Sequence, residues 1–418
     1  MAMITKENLS QAVERAMAAA PITDLHTHIF AEGFGELLLW GVDELVTYHY
    51  LIAENFRYTG MPYERYFALS KKEQAEMIWR NLFIENSPVS EGQRGVLTAL
   101  AKLGLDVGSR DLGAFREFCS SFTPGQFIDK VFALSGVKAV VMTNDPFNAK
   151  ERAVWLGGGY DDPRFLAALR IDPLLNGYDQ SYLLLREWGY DVDKRLDRKG
   201  VEEVKRFLRD WIKRMKAMYM AVSLPPSFIV PEDSLRSRLI EECVVPVARE
   251  LDIPFAMMIG VNKLVNHKLG DAGDSVGKGS VRPLEYLCEK YPDNKFLVTM
   301  LARENQHELA VTARKFRNLL VFGCWWFLNN PSLIEEITRM RMELLGLSFV
   351  PQHSDARILD QLIYKWDHSR KIIGKVMTDK YSDLLATGWK LDEAELKRDV
   401  EGLLGGNFWR FIGKEPVM

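Results

Sequence analysis

The sequence predicts an α/β fold, a (β/α)8 TIM barrel with a helical insertion after its first strand. Three observations predict it. Eight short apolar, β-branched runs end in polar, Gly or Pro residues. Several are continuous rather than alternating, as strands buried on both faces should be. Helical patterns separate most of them, and strand–helix alternation repeated eight times is the pattern of a closed barrel.

Taken in order, "PITDLHTHIF" (21–30) is a near-continuous apolar run that carries two histidines. "VKAVVMTND" (137–145) stops at an Asn-Asp pair, "FLAALRIDP" (165–173) and "AMYMAVSLP" (217–225) stop at proline, and "IPFAMMIG" (253–260) stops at glycine. "KFLVTML" (295–301), "NLLVFGCWWF" (318–327) and "LSFVPQHSD" (347–355) complete the series. Amphipathic stretches fill the gaps: "GVEEVKRFLRDWIKRMK" precedes the fourth run and "DSLRSRLIEECVVPVAREL" the fifth. "ARENQHELAVTARKF" precedes the seventh and "NPSLIEEITRMRMELLG" the eighth. A doubly wound open sheet is the alternative, but no run is followed by a GxGxxG turn. Residues 31–130 separate the first two runs and are rich in helix formers and aromatics. They are expected to form an insertion in the first βα loop, on the face where barrels carry their chemistry, and so to roof the site. Beyond about residue 358 the chain reads as helix, with no repeat or linker, so residues 1–418 are expected to be a single barrel domain.

Hydrophobic residues make up 47% of the chain and charged residues 27%, which suits a water-soluble protein with a large core. A net charge of −3, with both signs interspersed, leaves no electrostatic footprint for nucleic acid. No apolar run approaches the roughly 20 residues of a membrane span. The N-terminal stretch has an alternating-charge helical pattern rather than a secretory leader. Cys119, Cys243, Cys288 and Cys324 are scattered and form no CxxC pair, which predicts reduced thiols, a cytoplasmic location and no zinc ribbon.

His26 and His28 stand at i and i+2 of the first run. In a strand such residues point to one face, about 6.6 Å apart. Two imidazoles so placed can converge on a metal at about 2.1 Å. The pair alone fits two hydrogen-bonded core histidines equally well. Asp355, at the end of the eighth run, changes that: in a closed barrel the eighth strand neighbours the first, which brings a carboxylate beside both histidines. Arg357 follows Asp355 by two and would face the same way if extended backbone continues; the alternative is a surface arginine opening the last helix. Arg170 is a cation at the end of a buried strand, read as a carboxylate or hydroxyl donor rather than a structural ion pair. Of Trp325 and Trp326, adjacent in a strand, at most one can face a ligand. His353 would lie on the Asp355 face, one layer deeper. His267, His307 and His368 carry no special signal, although "RENQHE" could reach the site. "GDAGDSVGKGS" lacks the spacing of a phosphate loop and is expected to be a loop over the site.

"LHTHIF", "LLLWGVDELVTYHYLIAENFR", "FGCWWF" and "QHSDAR" together resemble the uronate isomerase (glucuronate isomerase) family of the amidohydrolase superfamily, in its shorter bacterial branch, over essentially the whole chain. Typical members carry a QLHIG-like fifth strand where this chain reads "AMMIG", with Met258 in the histidine's place. The resemblance implies a single divalent metal, zinc, held by His26, His28 and Asp355. It implies a shell completed by the C6 carboxylate and C5 hydroxyl of an open-chain uronate. Asp355, with that hydroxyl, would then be the base on the C2 proton. Tyr50 would bond the C1 oxygen, and with Arg357 would carry protons between the two oxygens. His49, Arg170, Arg357, Trp325 and Trp326 would contact substrate. The expected activity interconverts D-glucuronate with D-fructuronate and D-galacturonate with D-tagaturonate through a cis-enediol, in a homo-oligomer. The rival is a metal-dependent hydrolase of an amide, lactone or ester using the same ligands. A sugar-acid-binding barrel without catalysis is a third reading, and the convergence of His, Asp and Arg at strand ends counts against it.

Overall fold

The computed structural model describes residues 3–416. Seven strands form one curled parallel sheet: β1 (Ile22–Thr27), β2 (Val137–Asn144), β3 (Phe165–Arg170), β4 (Met220–Leu224), β5 (Phe255–Ile259), β6 (Phe296–Met300) and β7 (Leu319–Val321). Each strand lies beside its neighbour in the chain, from β1 through to β7. There is no reversal of order, which excludes the doubly wound alternative. Side chains divide with a period of two. Leu25, Val141, Ala168, Ala221, Ala256, Met258 and Leu297 form one apolar cluster with Tyr219, Phe322 and Phe408. Ile22, Val140, Met142, Leu169, Val222, Met257 and Val298 pack into the larger cluster shared with the helices. Burial on both faces explains why these runs read as continuous rather than alternating.

The seventh run was expected to extend to Phe327, but the strand stops at Val321. Gly323 follows at φ +71°, and Trp326 at φ +47° opens a short 3₁₀ turn. The eighth run forms no ladder. Its one bridge joins Val350 to Phe322, and Pro351, which has no N–H, interrupts it there. Four backbone bonds still tie this segment to both edges of the sheet. Val350 N donates to Val321 O (3.0 Å) and Gly323 N to Val350 O (2.8 Å). Asp355 N donates to His26 O (3.1 Å) and His28 N to Ala356 O (2.7 Å).

Between β1 and β2 the chain is largely helical, and its helix starts are written in the sequence. Ser70 with Glu73, Ser90 with Gln93, and Thr123 with Gln126 form capping boxes, the last with Pro124 at the first helical position. The final helix of this stretch, Pro124–Ser135, packs on the long helix Gln361–Ala386 and leads directly into β2. A boundary at 130 therefore falls inside the helix Pro124–Ser135. The helix expected over 233–251 is split at a widened turn, Leu239–Val244, ahead of Pro246. One pairing lay outside the sequence reading: Met3–Ile4 runs antiparallel to Leu391–Asp392. The last helix, Asn407–Ile412, sends Phe408 and Trp409 against the start of β1, where Trp409 Nε1 donates to Thr23 Oγ1 (2.9 Å). That leaves the C-terminal ends of the strands for the chemistry. Among the described residues no helix is long and apolar enough to cross a membrane, and all four cysteines are free and buried.

Candidate active site

His26 and His28 meet Asp355 as the strand period requires. Their Nε2 atoms lie 3.4 and 3.5 Å from Asp355 Oδ1, and one ligand atom from each of the three falls within 4.8 Å of the others. The tautomer of His26 follows from its neighbour. Thr143 Oγ1 donates to Thr27 O (2.9 Å), so at 3.3 Å it accepts from His26 Nδ1–H. The His26 Nε2 lone pair is then aimed at a carboxylate oxygen that is itself buried and has no hydrogen-bond partner among the described residues. Two acceptors facing each other repel unless a cation sits between them. The donor set, two neutral imidazoles and one carboxylate, therefore fits a divalent metal. Burial pushes His28 down to about 4, which keeps it neutral. Burial alone would raise Asp355, and a cation shared with the two imidazoles is what would keep its carboxylate ionised.

Asp355 is held by irregular backbone whose polar groups are met one by one. It sits at φ +52°, a conformation Asp tolerates better than most residues. Asp24, two residues before His26, accepts from Ser354 N (3.0 Å) and Trp366 Nε1 (2.8 Å). Asn329 Nδ2 donates to the carbonyls of His353 (3.3 Å) and Ser354 (3.1 Å). Gln361 Oε1 accepts from the N–H groups of Arg357 (2.9 Å) and Ile358 (3.1 Å). A carboxyl inside an apolar strand run was the available sequence signal for Asp24. Asn329 and Gln361 gave none.

The left-handed turn at Asp355 corrects the reasoning for Arg357, because extended backbone does not continue past it. Arg357 bonds Asp271 (Nη1–Oδ2 3.1 Å), in the loop expected over the site, and its charge still acts on His28, His49 and Tyr48. His49 and Tyr50 open the helix His49–Asn55. The His49 ring lies 5.8 Å from that of Trp326, edge-on, and Tyr50 stacks on Phe327 at 6.1 Å. Burial puts His49 well below and Tyr50 well above its ordinary pKa. Trp325 and Trp326 are both buried, and Trp326 is the one in contact with His49. Arg170 pairs with Asp172 (Nε–Oδ2 3.0 Å; Nη2–Oδ1 3.1 Å) at the end of β3. His353 is fully buried, 5.2 Å from the His26 ring, with no partner for either nitrogen among the described residues. His267 and His307 are exposed; Asn305 of "RENQHE" clamps Gly279 through both amide atoms. Met258 is buried among the inner strand residues, so the described structure offers no fifth-strand histidine.

No family model matches the chain, and no curated protein does. Among solved structures, the crystal structure of a uronate isomerase from Bacillus halodurans C-125 is 57% identical over 99% of this chain and 98% of its own, with a TM-score of 0.98. The chain belongs to the uronate isomerase family. A uronate isomerase from Thermotoga maritima and a glucuronate isomerase from Caulobacter crescentus match at 16% and 13% identity. Each match covers 99% of this chain, with 100% and 97% of the other, at TM-scores of 0.77 and 0.76, and they show the shared fold. Membership in a uronate isomerase family favours isomerisation over the hydrolase reading of the same three ligands.

In this uronate isomerase family member Glu151 fixes the turn after β2, accepting from Asp145 N at 2.8 Å. Burial pushes Glu151 up to about 7 and Asp145 up to about 6. The folded state thus keeps these protons to higher pH than the unfolded chain. Their contribution to stability is complete below the unfolded values and is lost as pH rises through about 6 to 7. Glu151→Gln, which keeps the acceptor, is expected to flatten that decline by on the order of 2 kcal/mol between about pH 5 and pH 7.5. Melting curves of the two proteins across this range test it, and parallel profiles would count against it.

Proposed function

We propose that the chain interconverts D-glucuronate with D-fructuronate and D-galacturonate with D-tagaturonate, moving a proton from C2 to C1 through a cis-enediol. The observation that carries this reading is a set of buried polar atoms that have no partner among the described residues: Asp355 Oδ1, His49 Nε2, Tyr50 Oη and Trp326 Nε1. Leaving such atoms unpaired costs about 1–3 kcal/mol each. A hydroxylated anion is the kind of ligand that would satisfy them together.

His26, His28 and Asp355 would hold one divalent metal, which we take to be zinc, and when bound it would act as a Lewis acid toward the uronate's oxygens. Asp355, kept ionised, takes the C2 proton. Tyr50, whose raised pKa keeps its phenol protonated, donates to the C1 oxygen. Arg357 donates to the neighbouring oxygen while the Tyr50 proton passes between the two. His49, Trp326 and Trp325 line the substrate side, and the ion-paired Arg170 can reach it only as a donor shared with Asp172.

We infer also that residues 347–356 close a (β/α)8 barrel, and that residues 31–130 are an insertion roofing the site of a single domain, 1–418. The bonds from Val350 to β7 and from Asp355 and Ala356 to β1 support closure. The contacts of His49 and Tyr50 with Trp326 and Phe327 support the roof. Four free thiols fit a reducing, cytoplasmic setting. We retain the homo-oligomer as part of this reading.

Proton NMR of both sugars incubated with the protein in D2O, with and without zinc, tests the proposal. The expected result is the ketose uronate with deuterium at the migrating position. No change in either sugar would refute it, and ketose without deuterium would replace open proton transfer with a shielded one or a hydride shift.

A further inference from the structure

The helix Gln361–Ala386 starts six residues after Asp355 and turns a lysine into the same interior. Lys365 is 4% exposed. Its Nζ lies 6.0 Å from the Tyr50 ring centroid and 5.9 Å from that of Tyr364. Among the described residues it forms no ion pair. Burial lowers its pKa, and Asp355, Glu91 and Asp24 oppose that only as more distant charges.

An ammonium on a side chain this buried, without a counter-ion, destabilises a fold, and aromatic faces compensate only in part. Methionine would fill the same volume without that penalty. A local rule broken this plainly, beside Tyr50, points to a function for the charge. In the mechanism above, one negative charge develops at the carbonyl end of the sugar as C2 loses its proton, and Tyr50 is the donor there. Arg357 serves the neighbouring oxygen and shares its charge with Asp271. Lys365 is the cation beside Tyr50 that has no partner of its own.

We propose that Lys365 is a positioning residue for the proton transfer: its ammonium, fixed against Tyr50, offsets the negative charge that develops on the oxygen to which Tyr50 donates. This rests on the isomerase reading and on the place of Tyr50 in it. The step balances without Lys365 gaining or losing a proton. Asp355 accepts the C2 proton, the C–H electron pair forms the C1–C2 double bond, and the carbonyl electron pair moves onto the C1 oxygen, which takes the Tyr50 proton to give the enediol.

The test compares Lys365→Met and Lys365→Arg with the unaltered protein, all loaded with zinc and assayed for metal content, turnover of D-glucuronate and melting temperature. Lys365→Met should lower kcat about 30-fold while KM stays within about threefold and metal content is unchanged. Its melting temperature should equal or exceed that of the parent, because an unpaired buried charge is gone. Lys365→Arg should recover part of the rate. Parental kcat in Lys365→Met would overturn the proposal, and so would a rate loss accompanied by a lower melting temperature, which marks a structural role. Those results leave the isomerase reading standing. If the unaltered protein turns over neither uronate, that reading fails and takes this one with it.

Discussion

Asp355→Asn is expected to lower kcat on D-glucuronate by about 10³- to 10⁴-fold while the fold survives. The substitution removes the base and one anionic ligand and leaves the shape of the side chain intact. The backbone should tolerate it, since asparagine adopts φ near +52° at least as readily as aspartate. The bond from residue 355 N to His26 O is a main-chain bond and is unaffected. Among the described residues, the carboxylate oxygen facing the histidines has no hydrogen-bond partner to lose. The melting temperature should therefore change little, which separates loss of chemistry from loss of structure. Turnover close to the parent's would sink the assignment of Asp355 as base. Rescue of the rate by excess zinc would reduce it to a metal ligand.

The triad was legible because two simple rules act on it. A strand's period of two puts His26 and His28 on one face, and chain-order neighbours in a barrel bring the eighth segment to the first. Both rules survive local irregularity. Ends of elements do not follow from such rules. Nothing in "FGCWWF" signals that the strand stops before Gly323, and Pro351 breaks the eighth ladder while leaving the tie to β1 in place. Arg357 comes near the histidines through a left-handed turn and a partner in a distant loop, where alternation had offered a different route. Charges inside helices were harder still. In "IYKWDHSRK" the buried Lys365 and the partly exposed Arg370 look alike, because which face of a helix is inward depends on neighbours the sequence does not name. The same holds for Asn329 and Gln361, whose work is to satisfy backbone made irregular elsewhere.

Gly323→Ala is expected to be among the most destabilising single-methyl substitutions in the chain, at about 2–4 kcal/mol. Two costs add. Gly323 sits at φ +71°, where a residue with a Cβ loses about 1 kcal/mol. A Cβ there would also lie 1.9 Å from His353 Cδ2, and that ring is fully buried between Phe322 and His26, with centroids 5.3 and 5.2 Å away. The backbone cannot retreat easily, because Gly323 N is bonded to Val350 O (2.8 Å) and Gly323 O to the buried Arg341 (2.8 Å). Gly413 provides the control: its φ is also +71°, but nothing lies within 4 Å of where its Cβ would go. Gly413→Ala should cost only the backbone share, about 1 kcal/mol. Gly323→Ala should melt about 3 °C below the parent. It should also lose turnover, since the displaced His353 ring lies against the metal-side histidine. If the two variants melt together, His353 yields freely and the backbone conformation alone requires glycine there. If Gly323→Ala melts low but turns over normally, His353 moves away from His26, and its place beside the triad is packing with no bearing on the chemistry.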